Sequence, residues 1–447
     1  MKFGIPNLVL ILTYWISFFP VMIFAVQENQ SRQEAGGEAA QRAVLLSCNE
    51  LLSPLSSPPA GDSGDLGFSS DNVDLLARLS LDELAPRNPA VRGSGIWGWT
   101  DANGNQYALV ALSNATVFVD ITVPQRPFVI GRLPTAQGNS SWREVQVYRN
   151  RAYIVAAGSE NAKHGIQVFD LKQLRQPSPT SIFKHNHLFS EIGQARGIAI
   201  NQRSGFGYVY GSPSLDSKGG LIALDLNTDS FEPQVVGIFS DVGEVHSVQV
   251  VTYHGPDRLR WGREFAICLC GAALVTIDVT DKRNMKVISR VELPESAFAH
   301  HGWLSEDHSY LFMCDKLDER RSEQNHADQY PPDPTAGVTR THVWSMKSLA
   351  EPTYLGQIEG NRRGVDHRVF VSGEFIFQAN FTGGLSVLDG SEAQLLRHVE
   401  LGHFDTYPQS DDLSFNGAWS VFPFFSSGVI VVSDRQNGLF ILRFSPL

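Results

Sequence analysis

Cysteine is scarce, with 4 in 447 residues. That is too few for a disulfide scaffold, and a chain of this length can bury a core without one. No run of five or more Lys or Arg occurs. The 36 Lys and Arg against 47 Asp and Glu leave a net charge of −11. An acidic chain without a basic tract argues against nucleic acid or an anionic lipid surface as the main partner. The signatures of common catalytic sites are missing: no G-x-S-x-G, no H-E-x-x-H, no Cys beside a His, and no Gly-rich phosphate loop between a strand and a helix. What is present is an ordinary globular composition, 42% hydrophobic and 19% charged.

Lys2 is the only charge before Glu28, and Leu8 to Val26 is an unbroken apolar run. Residues 1–26 therefore predict a signal peptide, cut near Ala25 or Val26, or an uncleaved N-terminal anchor. Both place the rest of the chain outside the cytoplasm, in a secreted, periplasmic or cell-surface protein. Cys48, in LLSC, has the look of a lipoprotein acceptor, but the residues before it are polar. Residues 27–71 are rich in Gln, Glu, Ser, Pro, Gly and Ala and read as a flexible linker.

From residue 72 onward one pattern repeats seven times. TVFVD, IQVFD, LIALD, LVTID, THVWS, LSVLD and LFILR end at Asp120, Asp170, Asp225, Asp278, Ser345, Asp389 and Arg443. The steps are 50, 55, 53, 67, 44 and 54 residues, with no helical period between them. Two β-rich runs precede each motif, for example EVQVY and AYIVAA before IQVFD. An outer strand follows six of them: PFVIGRLP, TSIFKHN, QVVGIFSD, KVISRVEL, TYLGQIEG and LLRHVELG. Four-stranded repeats of this period predict a seven-bladed β-propeller over residues 72–447; two stacked β-sandwiches are the competing architecture. The seventh repeat lacks its outer strand, and VDLLARLSL, from Val73 to Leu81, is spare. It is expected to pair with the last blade and close the ring, removing an exposed edge. The Asp at each motif end is expected to accept hydrogen bonds from the next turn's amides.

IWGWTDANGNQYALVALSNATVFVDIT, HGIQVFDL, YHGPDRLRWGRE, HHGWLSED, CDKLDE, FDTYP, FNGAWS and SGVIVVSDRQNGLFIL together resemble the LVIVD-repeat, or choice-of-anchor B, family. The resemblance spans about residue 72 to the end. It implies an exported propeller tethered by one of several kinds of anchor, and it implies no reaction. Where the family has AHN and HDAQC, this chain has Ala195–Gly197 as ARG and HSVQV, so Val250 stands in place of a cysteine. That loss implies a free Cys268. Cys268 and Cys270 share a strand face and cannot easily pair with each other. A Cys270–Cys314 bridge is the alternative to small buried apolar residues. Asn29, Asn114, Asn139 and Asn380 sit in N-x-S/T triplets, which matter only in a eukaryotic secretory host.

The first residue of each innermost strand is expected near one rim of the central channel. In order these are Trp97, Arg143, Arg196, His246, His301, His367 and Ala418 or Trp419. Loops after the second strands bring His164, Asp315, Asp318, Glu319, Asn380, Asp434 and Arg435 to the same rim. Three readings stay open. The polar side chains could tie neighbouring blades together. Arg143 and Arg196, with the imidazoles and Asp315, could bind an anion or polar ligand. His246, His301 and His367 could hold a divalent metal, with Asp315 or Gln249 in support. Phe422, Phe424 and Phe425, with Trp419, read either as a sugar-stacking surface or as interblade packing. Glu306 and Asp307 read as a hairpin turn. The expected function is a monomeric propeller that binds a small molecule, glycan or protein at the channel mouth without catalysis. A metal-dependent lyase or hydrolase acting on an acidic sugar or lactone through the three histidines is the alternative.

Overall fold

The computed structural model describes residues 67–446 apart from 159–162, 176–180, 294–297 and 327–334. The leader, most of the linker, Cys48 and Asn29 lie outside the described residues. The rest forms seven small sheets, each ordered from an inner strand outward. The inner strands are Gly93–Thr100, Trp142–Tyr148, Gly197–Asn201, Ser247–Thr252, Ala299–Leu304, Arg368–Ser372 and Ala418–Phe422. They define blades 1 to 7. Each packs beside the inner strands before and after it, and that of blade 7 packs beside that of blade 1. The fold is a closed seven-bladed β-propeller, with a sandwich excluded by the ring.

Both faces of a blade meet another blade, so middle strands need apolar residues on both sides. Gln106–Leu112, Glu264–Cys270 and Val429–Asp434 are buried throughout. Seven apolar clusters fill the seven interblade gaps. Phe118 stacks on Phe169 at 4.8 Å between blades 1 and 2. Each such buried side chain contributes about 1.5–3 kcal/mol. Cys268 and Cys270 lie in the gap between blades 3 and 4, and Cys314 in that between blades 5 and 6; all three are free and buried.

Val73–Leu79 runs antiparallel to the last strand, Gly438–Phe444, from Val73 opposite Phe444 to Leu79 opposite Leu439. The spare strand thus closes blade 7 as the sequence predicted. It ends at Ser80, whose hydroxyl and backbone form a capping box with Glu83 and start the short helix Leu81–Leu84. The motif-end Asp side chains behave as expected. Asp120, Asp170, Asp225, Asp278 and Asp389 each accept a hydrogen bond from the amide two residues on, at 2.8–3.0 Å. Asp307 accepts from the Ser309 amide in the expected hairpin turn.

Some outer elements differ from expectation. TSIFKHN is not the fourth strand of blade 2. Its Ser181–Ile182 instead joins the outer edge of blade 1 in parallel, and His187–Phe189 completes blade 2. LLRHVELG enters a strand only at Glu400, in Glu400–Phe404. Ser70–Asp71, read as the end of the linker, pairs with Phe404 and His403 on blade 6. Asn380 is 1% exposed, so a glycan could not be accommodated there in the folded chain.

Candidate ligand site in the central channel

A cavity of about 770 Å³ lies within the ring, lined by inner strands of all seven blades. Its walls differ in chemistry. On one side Trp97, Trp303, Phe370, Phe422 and Phe424 form a continuous aromatic surface. Neighbouring rings are 4.9–6.5 Å apart, with Trp303 to Phe370 at 4.9 Å and Trp97 to Phe422 at 5.0 Å. On the other side Gln146, Asn201 and Gln249 line it. Asn201 is held by Thr252 and the Arg203 amide, and Gln249 Oε1 accepts from the Leu304 amide, which leaves the Gln146 amide and the Gln249 NH2 for a ligand. Arg149, Gln202, Arg203 and His254 are exposed where the inner strands end, so the mouth carries positive charge.

Two glycines make this arrangement fit. A Cβ on Gly98 would fall 2.2 Å from the Phe422 ring, and one on Gly197 would fall 2.1 Å from the Tyr210 hydroxyl. Deeper in the cavity, Arg368 forms an ion pair with Glu144 across the channel, with 8% and 12% of their side chains exposed. Burial raises the Glu144 carboxyl above its ordinary range despite the guanidinium. Burial also pushes the Tyr210 phenol up to about 12.

The other end of the channel, where inner strands begin, is packed. Trp142, His300, His367, Trp419 and Phe381 stack together, with His300 on His367 at 4.5 Å and His367 on Trp419 at 4.6 Å. His300 donates from Nδ1 to the His367 carbonyl at 3.0 Å, and His367 donates from Nδ1 to the Trp419 carbonyl at 2.6 Å. A carbonyl can only accept, which fixes both tautomers. The Lys316 ammonium sits over this layer, 4.4 Å from Phe415 and 5.1 Å from Trp142. Burial, with Arg368, Arg435 and Arg196 nearby, lowers it to about 7.

The sequence-predicted residues are dispersed around these two regions. Arg143 is fully buried between blades. It donates to the Leu112 carbonyl at 3.0 Å and to Nε2 of His164 at 2.8 Å, and burial lowers it to about 10. Arg196 pairs with Glu244 at 2.7 Å. His246 lies against Phe298 at 4.3 Å, and burial and Arg196 lower it to about 4. Asp315 accepts from the Phe298 and Leu317 amides. His367 is in the packed layer. Of the six, only His301 lines the cavity. Its Nδ1 accepts from the Val369 amide at 3.3 Å, and burial lowers its pKa well below 6.5. The neutral ring therefore carries its proton on Nε2 and offers the cavity a donor, not a metal-binding lone pair.

The three-histidine metal set, His246, His301 and His367, is thus not assembled. Among the described residues, only Asp318, Glu319 and Asp366 bring three candidate metal-ligand atoms within 4.8 Å of one another. The three lie apart along the channel: His246 against Phe298, His301 on the cavity wall and His367 in the packed layer. Strand phase accounts for Arg143: side chains alternate with period two, so Arg143 enters the blade interface and its neighbour Glu144 the channel. Arg368, one residue after His367, is the cation that faces Glu144. The available signal was the alternation W-x-E-x-Q through Trp142, Glu144 and Gln146. In the FPFF segment, Phe425 is interblade packing, and Phe422 and Phe424 also line the cavity.

The fold and this site define a seven-bladed β-propeller with a ligand-sized chamber on its axis. No protein-family model matches the chain, and neither does any curated protein.

Proposed function

We propose that the protein is an exported β-propeller that holds a ring-bearing polar ligand, such as a glycan unit, in its axial cavity without transforming it. The observation that carries this reading is the pairing of an aromatic wall with an amide-bearing wall around one chamber. Flat aromatic rings cover the apolar face of a sugar or planar ring, while amides and an imidazole N–H meet its polar edge. A volume of about 770 Å³ falls in the range of small-molecule sites. Glu144 and Arg368 engage each other, which suits a preorganised binding floor. The apolar run Leu8–Val26 supports export, and the repeat motifs support membership of the LVIVD-repeat, choice-of-anchor B group. The closed ring supports a monomer.

The test is a glycan and small-molecule array with the full chain, followed by calorimetry on the best ligand. Trp97→Ala is expected to weaken binding at least tenfold. Arg196→Ala, at the opposite end of the channel, is expected to leave it unchanged. Binding that ignores Trp97 and depends on Arg196 would remove the cavity from the reading. The mass of the exported chain reads the cleavage site directly.

A further inference from the structure

We propose that Asp318, Glu319 and Asp366 form a site for a hard divalent cation that ties the helix Asp318–His326 of blade 5 to the chain entering blade 6. One carboxylate oxygen from each lies within 4.8 Å of the other two. Glu319 and Asp366 are both 0% exposed. Some of the oxygens are used. The Asp366 amide donates to Glu319 Oε1 at 3.0 Å, and His342 Nε2 lies 3.2 Å from Asp318 Oδ2. The remaining four are not: Asp318 Oδ1, Glu319 Oε2 and both oxygens of Asp366 are buried without a hydrogen-bond partner.

The unpartnered Asp366 side chain is the observation that points to a ligand. Backbone and side-chain donors normally satisfy a buried carboxylate, and an orphaned one is costly. The groups within reach are the Cys314 thiol and the Glu319 carboxyl, but neither is placed with good hydrogen-bond geometry to an Asp366 oxygen; the thiol is a weak donor, and Glu319 can donate only when protonated. No Lys or Arg among the described residues forms an ion pair with any of the three acids; the nearest ionic contact is His342 on Asp318. Three converging carboxylates, two of them fully buried, with a single imidazole at the edge of the group need either protons or a cation.

The donor set selects the class of ion. Carboxylate oxygens suit calcium, magnesium and manganese, not the softer metals that prefer imidazole or thiolate. Two of the acids come from adjacent positions at the start of the helix, and the third comes from the strand entry of the next blade. A bound ion would therefore cross-link two blades. Asp366 is followed directly by His367 of the packed layer and Arg368 of the cavity floor. The ion would fix the start of that strand, and with it the Arg368 guanidinium. This inference does not depend on the identity of any ligand in the cavity.

The experiment uses the full chain without a polyhistidine tag, stripped with chelator and titrated separately with calcium, magnesium and manganese chlorides. Calorimetry and thermal unfolding are the readouts. At least one of the three ions is expected to bind at one equivalent per chain and to raise the melting temperature by several degrees. Asp366→Asn and Glu319→Gln, both near-isosteric, are expected to weaken that binding at least 100-fold. Each variant should keep the β-sheet circular dichroism of the parent, and Glu292→Gln, at an exposed acid elsewhere, should bind like the parent. The proposal is overturned if the folded parent binds none of the three ions. It is equally overturned if Asp366→Asn and Glu319→Gln bind as tightly as the parent, or if Glu292→Gln loses binding as they do.

Discussion

The two ends of the channel are built from the same seven strands and are opposite in character. Where the strands begin, Trp142, His300, His367 and Trp419 fill the axis, and the histidines spend their Nδ1 protons on backbone carbonyls. Where they end, Trp97, Trp303, Phe370 and Phe424 stand back around a chamber of about 770 Å³. Aromatic and imidazole residues occur at both ends, so residue type alone does not mark the site. Distance between opposite walls does. In the packed layer the rings stack against one another; in the chamber the same chemistry is left facing space, available to a ligand.

The largest effect is expected from opening the ring that both ends share. Deleting Val73–Leu79 strips the strand paired with Gly438–Phe444 and exposes the edge of blade 7. The expected result is a chain that unfolds at markedly lower temperature or elutes as an oligomer, read by calorimetry and size-exclusion chromatography. A monomer of unchanged melting temperature would contradict the closure. Next in size is Trp419→Ala, which empties the packed layer and is expected to cost about 3–5 kcal/mol in denaturant unfolding. Trp303→Ala, in a half-buried chamber position, should cost clearly less and act mainly on ligand binding. Equal costs would erase the distinction between the two ends.

Acid should act through the buried imidazoles. Burial lowers His164, His246 and His308 to about 4 from an ordinary 6.5. Their contribution to stability is complete above pH 6.5 and is lost as pH falls toward 4, by roughly 1–3 kcal/mol each. Burial and mutual repulsion raise the Glu319 and Asp366 carboxyls, and these groups act in the opposite sense. In the chelator-stripped chain, unfolding midpoints measured from pH 7 to 4 in a Glu319→Gln background should therefore fall more steeply than in the parent.

The smallest expected effect is at Lys316. Its amine falls to about 7 in the folded chain from 10.5 when free, so folding is penalised progressively as pH drops from 10.5 to 7 and fully below that. Lys316→Met should be more stable by about 1 kcal/mol at pH 7, part of the penalty being offset by the aromatic rings around the ammonium. The advantage should vanish near pH 10.5. A variant less stable than the parent at pH 7 would show that the cation–π contacts outweigh the burial.

Much of the fold was legible because its signals are local. An Asp two residues before a turn amide, as at Asp225 and Asn227, needs no distant partner. Val73–Leu79 could be matched to blade 7 because the last repeat was one strand short. Ser181–Ile182 could not be placed, since its two-residue parallel pairing depends on the free edge of blade 1. The site was legible only in kind. His301 was identified as a channel residue, whereas Arg143, with equal claim by position, is a tie between blades.

The sequence by itself determined seven repeats, their strands, their turns and the closure, because alternation and turn chemistry are encoded within a few residues. Only the tertiary structure decided which alternate residue faces the axis and which end of the axis stays open. A period of two leaves the phase undetermined, and the phase is set by how each blade packs against the next. The same packing brings Asp366 of one blade to Asp318 and Glu319 of another, nearly fifty residues away in the chain.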